Sequence, residues 1–193
     1  MHRWLGIIGL CLALAGCALE SPIPSTGYLP QDAFGNAAIG QDPAITATQT
    51  ATFAFAHPAA MQGEPARMAL AIASLDAMAG QFSTVGRWSG MNGLAQLEML
   101  EARKRVREIL GISPDLPSQT VIDALVAASH ALDRDDRPAA ERALTGPGFA
   151  MLADRMLALL THFPAVPIAN RATQLASQYL HPQGGGPFGG DRF

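Results

Sequence analysis

The sequence predicts an all-α protein, in which a compact bundle of about five to six amphipathic helices follows a long irregular N-terminal tether. Three observations support this fold class. From residue 64 onward, apolar residues recur at alternating intervals of three and four positions, which is the helical period. No run that alternates apolar with polar residues is long enough for a β-sheet. Before residue 63, proline and glycine repeatedly interrupt the chain, as is typical of irregular structure.

The first predicted helix begins at Pro65, a residue that suits the first helical turn, and ends near Ser83. Its apolar residues form one stripe along the helix. The stripe consists of Met68, Ile72, Leu75, Ala79 and Phe82. Alanines cover the other faces of the helix and allow neighbouring helices to approach closely. We therefore expect this helix to lie at the centre of the bundle.

Five further helices are predicted downstream of the first. Gly111 is expected to end one of them, because glycine readily adopts the left-handed conformation found at helix C-termini. Ser118 is expected to cap the next helix through its hydroxyl group. The predicted ranges are 94–110, 118–132, 138–144, 149–163 and 168–179.

The tether is predicted over residues 17–62 and the helical domain over residues 63–180. A flexible coil of about 40 residues spans roughly 35 Å root-mean-square. Residues 50–56 place two phenylalanines at alternate positions, so this stretch is expected to dock on the domain in extended form. Residues 181–193 contain five glycines and two prolines and are predicted to be disordered.

The chain begins with a short basic segment, which an uncharged apolar run, residues 4–16, follows. This run is shorter than the roughly 20 residues of a transmembrane helix. It has the length of a signal-peptide core, roughly 7–15 residues. The run leads into Leu14-Ala15-Gly16-Cys17, which resembles the lipobox of bacterial lipoproteins: an aliphatic residue, two small residues and a cysteine. An uncleaved anchor and an ordinary signal peptide are the alternatives for residues 1–16.

The resemblance implies that residues 1–16 are removed and that the mature chain starts at Cys17. The thiol of Cys17 would carry a diacylglycerol group and its amino group an acyl chain, and no other cofactor is expected. Ala18 follows the cysteine, and by similarity to enterobacterial sorting a residue other than aspartate there implies the outer membrane. The resemblance therefore predicts a lipid-anchored protein of the bacterial cell envelope that faces the periplasm.

Composition and cysteine content exclude several kinds of partner and site. The formal net charge is −3 for the whole chain, and −4 once Arg3 leaves with residues 1–16. This mild acidity argues against nucleic acid as the main partner. Of the two cysteines, Cys11 lies in the segment to be removed and Cys17 would be acylated. The mature chain is therefore expected to contain no disulfide, no cysteine-ligated metal and no cysteine nucleophile.

The histidines and methionines give little support for a metal site, and none is expected. The four histidines after the signal peptide stand apart in sequence, without the spacing of metal ligands. His130 and His162 fall late in predicted helices, where a protonated imidazole favourably faces the negative end of the helix dipole. The methionines occur at helical spacing and are expected to fill gaps in the core.

Four residues are candidates for contact with a protein partner: Arg87, Trp88, Leu97 and Leu100. Arg87 and Trp88 lie in a glycine-punctuated loop, and both residue types are favoured at interfaces. A tryptophan folded back onto the bundle is the alternative. Leu97 and Leu100 lie opposite the apolar stripe of their helix, among charged residues that form a solvated face with i,i+4 ion pairs. That helix is therefore expected to be covered on two sides, either within the bundle or by a partner.

Two hypotheses about function follow. The first is a membrane-anchored, non-enzymatic envelope lipoprotein whose helical domain contacts or organises other envelope proteins. The second is a periplasmic helical domain that binds a small apolar or lipid-like molecule, which requires an apolar cavity of at least a few hundred cubic ångströms. An enzymatic variant of the second hypothesis would need two or more of four residues to meet in a cleft. These are His130, Asp154, Arg155 and His162.

Overall fold

The computed structural model describes residues 25–35 and 40–180, and these ranges contain α-helices and no β-sheet. The predicted all-α fold is confirmed for them. The α-helices are α1 (Pro43–Ala56), α2 (Pro65–Thr84), α3 (Gly93–Leu110), α4 (Ser118–Leu132), α5 (Arg137–Ala143), α6 (Ala153–Thr161) and α7 (Pro167–Leu180). Short 3₁₀ turns, Pro58–Met61 and Gly86–Trp88, follow α1 and α2.

Helix α2 lies at the centre of the bundle, as its alanine content predicts. It packs against α1, α3, α4 and α6, and 14 of its 20 residues are buried. The alanines at positions 69, 71, 73, 77 and 79 are almost completely inaccessible to solvent, so neighbouring helices approach α2 from several directions. Helix α7 closes the bundle by packing against α1 and α3, and α5 packs on α4.

The core is filled mainly by large apolar side chains from α2, α3, α4 and α6. Methionine contributes to it as predicted, since Met68, Met99 and Met156 are among the largest fully buried side chains. The other members of that group are Ile72, Leu75, Phe82, Leu110, Ile122, Leu125, Leu144, Leu157 and Leu160. Packing rather than covalent cross-linking therefore stabilises the described part of the chain.

Helix α1 corrects the prediction for the segment before residue 63. Residues 50–56 are helical and not extended, and the helical domain begins at Pro43. The Asp42 carboxylate caps the helix by accepting a hydrogen bond from the Ala44 N–H at 2.8 Å, and Pro43 occupies the first turn. The alternating phenylalanines had suggested an extended segment with one apolar face. Helix α1 instead buries a face of small residues against α2 and α7. Its buried apolar residues are Ala44, Ala47, Ala51, Ala54 and Phe55.

The predicted end of α3 is confirmed, whereas the predicted cap of α4 is wrong. Gly111 follows α3 with φ of 65°, a left-handed conformation that glycine adopts without strain. Pro117, and not Ser118, occupies the N-cap position of α4, and no side chain caps this helix. The Ser118 hydroxyl donates instead to the Ser25 carbonyl oxygen at 3.1 Å. A long-range contact thus replaces the local cap.

Helix α6 begins at Ala153, four residues later than the apolar stripe predicts. The preceding residues pair with the segment after α3: Ser113 N–H donates to the Gly148 carbonyl at 2.8 Å, and Ala150 N–H donates to the Gly111 carbonyl at 2.8 Å. Because the Gly148 carbonyl and the Ala150 N–H are already hydrogen-bonded to the segment after α3, residues 148–150 do not join helix α6.

Three predictions fall outside the described residues: the signal peptide at 1–16, the acylation of Cys17 and the disorder of 181–193. Within residues 25–35 and 40–180, no helix combines the length and the apolar character needed to cross a bilayer.

Candidate functional site

Residues 25–29, here called the docked segment, lie in irregular conformation against α2, α3 and α4. The Ser25 carbonyl accepts a hydrogen bond from Arg103 Nη1 at 2.7 Å. The Gly27 carbonyl accepts one from Gln81 Nε2 at 2.9 Å. The Gln119 amide bonds both backbone groups of Tyr28, at 2.9 and 3.0 Å. Residues 25–29 of the predicted tether are therefore irregular, as expected, but they are held on the bundle.

Two glycines allow this close approach. A Cβ atom at Gly27 would lie 2.6 Å from Ile122 Cδ1 and 2.8 Å from the Gln119 backbone nitrogen. A Cβ atom at Gly80 on α2 would lie 2.5 Å from the Ser25 carbonyl oxygen. Because side chains are sterically excluded at both positions, the docked segment depends on glycine at residues 27 and 80.

We expect Gly80→Ala to displace the docked segment without unfolding the bundle. The added Cβ collides with Ser25, while alanine favours the helix by about 1 kcal/mol over glycine. Chymotrypsin cleavage after Tyr28, followed by mass spectrometry, should become several-fold faster. Gly86→Ala is the matched control, since nothing lies within 4 Å of its added Cβ. An unchanged cleavage rate in Gly80→Ala would show that the segment is not held by this contact.

A buried charge cluster lies beneath the docked segment. Asp76 on α2 and Arg107 on α3 form a two-bonded ion pair, with Nε–Oδ2 and Nη2–Oδ1 distances of 2.6 and 2.8 Å. The exposed fractions of these side chains are 2% and 5%. Arg107 also donates to the carbonyl oxygens of Pro114 and Leu116 and to the Ser118 hydroxyl. The guanidinium group thus joins α2 and α3 to the start of α4.

Arg103 brings a second cation close to this pair. Burial lowers the pKa of Arg103 and the neighbouring Arg107 acts in the same direction, while Asp76 opposes both. Arginine nevertheless stays protonated in proteins. Its Nη1 donates to the Ser25 carbonyl and to the Ser118 hydroxyl. The docked segment therefore supplies an acceptor to a partly buried cation.

Of the four predicted contact residues, the structure places Arg87 and Trp88 together at the end of α2. The Trp88 ring packs edge-on against Phe82, with a centroid separation of 5.2 Å, and is half-buried. The Arg87 guanidinium carbon lies 4.2 Å from the Trp88 ring centre. The indole N–H is buried without an acceptor among the described residues. Trp88 therefore folds back onto the bundle, which is the alternative that the sequence left open.

Arg87 also forms an ion pair with Asp42, whose carboxylate accepts from Arg87 Nη2 at 2.7 and 2.9 Å. Burial raises the pKa of Asp42, but hydrogen bonds from Arg87 and from the Ala44 backbone outweigh it, so the pKa lies below its ordinary value of 3.8. This pair ties the start of α1 to the turn after α2.

The Asp42–Arg87 pair should stabilise the fold at neutral pH and lose this effect in acid. Because the pKa is lower in the folded state, the contribution is complete above the unfolded-state pKa and disappears as pH falls through the folded-state pKa. The difference in unfolding free energy between the wild type and Asp42→Asn, measured with urea, should shrink between about pH 6 and about pH 2. Asparagine preserves the cap. The difference will be small because both side chains are more than a third exposed; an equal difference at both pH values would contradict the expectation.

The two predicted leucines of α3 differ in their surroundings. Leu100 is half-buried and packs against the core, so part of this face is covered within the bundle. Leu97 is 64% exposed, and its neighbour Leu94, one turn earlier, is 58% exposed. Glu98 follows Leu97 in the sequence and forms an ion pair with Arg171 of α7. An exposed apolar pair, Leu94 and Leu97, thus lies on the first turns of α3.

A groove of about 560 Å³ lies on another side of the bundle, between residues 33–35, α1, α2 and the end of α4. Its apolar wall includes Phe34, Phe53, Met61 and Leu70. Its polar groups include Arg67, His130 and Asp133, and the Arg67 guanidinium carbon lies 5.6 Å from the Phe53 ring centre. The groove combines an apolar wall with groups able to hold a charged or polar head.

The residues of the enzymatic variant do not meet in this groove. His130 lines it from the last turn of α4. His162 follows α6, and its Nδ1 lies 3.2 Å from Gln62 Oε1. Asp154 borders a separate shallow depression beside Arg142. Within the described residues, no cluster of three or more histidine, cysteine or acidic side chains has the arrangement of a metal site.

Sequence reasoning missed the buried charge cluster and most of the groove. One signal for the cluster was available: Asp76 is the single charged residue between Arg67 and Thr84 of a helix otherwise rich in alanine. A charge at the centre of a buried helix requires a partner. The groove carried no such signal, because helices distant in sequence form it.

Comparison with known proteins finds no matching family model, no matching curated protein and no matching solved structure.

Proposed function

We propose that this chain is a bacterial envelope lipoprotein, anchored to lipid through Cys17, and that its helical domain is a non-enzymatic interaction or assembly module. The outer membrane, with the domain facing the periplasm, is the proposed location. The lipobox-like sequence Leu14-Ala15-Gly16-Cys17 supports the anchor. A protein of the envelope is the proposed partner.

The docked segment is the observation that carries this proposal. It begins at Ser25, a few residues after Cys17, and polar groups of α2, α3 and α4 hold it. Such a contact limits the distance between an anchor at Cys17 and the bundle to the span of the eight residue steps from Cys17 to Ser25. A coil without contacts would leave the domain unoriented.

The anchor is tested by the intact mass of protein extracted from membranes. We expect a mature chain that starts at Cys17 and carries diacylglycerol and an N-acyl group. Cys17→Ser should leave the precursor unprocessed, without the lipid mass. An unmodified Cys17, or a chain that retains Gly16, would refute lipidation.

The interaction role is tested by chemical crosslinking in native membranes and mapping of the linked positions on this chain. We expect one envelope protein whose crosslinks cluster on one face of the bundle and are lost on Cys17→Ser. Of the four residues predicted to touch a partner, Arg87 and Leu97 are accessible. Absence of any such partner, together with turnover of a defined substrate by the purified protein, would overturn the non-enzymatic role.

The groove favours a second candidate function, the binding of a small amphipathic molecule. Its volume of about 560 Å³ falls in the range of ligand pockets. A single acyl chain fits a wall of phenylalanine, methionine and leucine, and Arg67 offers a cation to an anionic head. A lysophospholipid has this chemistry.

Titration of purified protein expressed without residues 1–17 with lysophosphatidylglycerol, followed by calorimetry, tests this second candidate. Phe53→Ala should weaken binding about tenfold, which corresponds to 1.4 kcal/mol of lost apolar contact. Tyr179→Ala is the matched control, because Tyr179 is an aromatic residue of similar exposure, 46% against 44%, that does not line the groove. Equal affinities for the two variants would exclude the groove as the site.

A further inference from the structure

The contacts of α2, α3 and the docked segment show where Ser25, the first described residue after Cys17, lies on the bundle. Asp76 pairs with Arg107, and a Cβ at Gly80 would lie 3.3 Å from Arg103 Nη1, so α2 and α3 are antiparallel. Ser25 lies beside Gly80, about one turn before α2 ends at Thr84. Ser25 therefore lies much closer to the end of α2 than to its start. The end of the bundle where α2 finishes and α3 starts is here called the proximal end.

The exposed leucines of α3 lie farther out at this same end. Arg103 marks the level of Ser25 on α3, and Leu97 precedes it by six residues. At 1.5 Å per residue, Leu97 lies about 9 Å and Leu94 about 14 Å beyond that level, toward the proximal end. They are 64% and 58% exposed. Two large apolar side chains thus project at the proximal end, beyond the level of Ser25.

Helix α7 adds a third apolar side chain to this end. Gln62 Nε2 donates to the Phe163 carbonyl at 3.3 Å, which places the start of α7 near the start of α2. Arg171 of α7 then pairs with Glu98 of α3. Helix α7 therefore runs parallel to α2 and finishes at the proximal end. Tyr179, 46% exposed, lies in its last turn.

The distance to the anchor is limited by the number of residues. Eight residue steps separate Cys17 from Ser25, and a chain spans at most about 3.5 Å per step, or about 28 Å in total. Helix α2, with 20 residues, is about 30 Å long. A lipid-anchored Cys17 would therefore keep Ser25 within one bundle length of the bilayer surface.

We propose that the proximal end faces the bilayer and that Leu94 and Leu97 contact its headgroup region, with Tyr179 beside them. This inference rests on the proposed lipidation of Cys17. With the proximal end down, the chain from Cys17 needs only part of its reach. With the opposite end down, it would have to span about 22 Å from the level of Gly80 to the start of α2 at Pro65, at a higher cost in chain entropy. Burial of two leucines in the interface adds apolar contact to the anchor.

Spin labels at introduced cysteines test this orientation in the lipidated protein. The mature chain has no cysteine besides acylated Cys17, so Leu97→Cys and Leu94→Cys each provide one reactive thiol. Leu152→Cys is the matched control, since Leu152 is a leucine of 67% exposure just after Ala150, which bonds Gly111 at the other end of α3. The labelled proteins are reconstituted in vesicles of phosphatidylethanolamine and phosphatidylglycerol.

On reconstitution, collisions of a water-soluble nickel chelate with labels at positions 94 and 97 should fall several-fold, while those at position 152 stay unchanged. Equal accessibility at 97 and 152, in protein that floats with the vesicles, would overturn the orientation and leave the anchor intact. Protection of 97 in native membranes but not in pure lipid would assign this surface to a protein partner and also overturn it. Failure to float, with Cys17 unmodified, would refute the anchor and the orientation together.

Discussion

Replacement of Arg107 by methionine is expected to lower the free energy of unfolding by about 3–5 kcal/mol, because it leaves the Asp76 carboxylate buried without its cation. Asp76 is 2% exposed, and both of its oxygens bond to Arg107. The change also leaves the carbonyls of Pro114 and Leu116 without this donor. Small domains are stable by about 5–15 kcal/mol, so the loss is a large fraction of the total. Urea unfolding followed by circular dichroism measures it.

Arg105→Met is the matched control for Arg107→Met. Arg105 lies on the same helix and pairs with Glu108 at 3.2 Å, but its side chain is 60% exposed. Its loss should change stability by no more than about 1 kcal/mol. Asp76→Leu combined with Arg107→Met should recover part of the loss, since replacing both charges leaves none unpaired. A loss below about 1 kcal/mol for Arg107→Met alone would contradict the importance of the pair.

Replacement of Phe82 by alanine is expected to cost about 3–5 kcal/mol, through lost burial and the cavity that remains. Phe82 is 1% exposed and is among the largest fully buried side chains. It also supports Trp88, whose ring packs edge-on against it. Trp88 is the single tryptophan after the signal peptide, since the other is Trp4. Its fluorescence emission should therefore shift to longer wavelength in Phe82→Ala while the protein is still folded.

Phe53→Ala provides the comparison for Phe82→Ala. Phe53 belongs to α1, is 44% exposed and lines the groove, so its removal creates no enclosed cavity. We expect a loss well below that of Phe82→Ala and unchanged Trp88 emission. Equal losses for the two variants would mean that Phe82, in the last turns of α2, contributes no more to the core than a surface residue does.

The two kinds of leucine on α3 show why one part of the candidate site was predictable and another was not. The helical period placed Leu97 and Leu100 off the apolar stripe, which is a property of the helix itself. Whether each is covered depends on neighbouring elements: Leu100 packs against the core, whereas Leu97 does not. The charge pattern of α3 likewise predicts a solvated face for its charged residues, which include Arg103 and Arg107. Arg107 is instead buried, because its partner Asp76 lies on a different helix.

The sequence by itself determined the all-α class, the positions of α2 to α5 and α7 to within a few residues, the central place of α2 and the end of α3 at Gly111. These features follow from local periodicity, small side chains and the conformational freedom of one glycine, all of which act within a few residues. Residues 43–56 were predicted to be irregular, although two local signals, the cap residue Asp42 and Pro43, mark the start of a helix there. The tertiary structure alone decided that 25–29 is docked and that Asp76 meets Arg107. Each of these depends on contacts between residues about 30 or more positions apart, whose free energy overrides the local propensity of the segment.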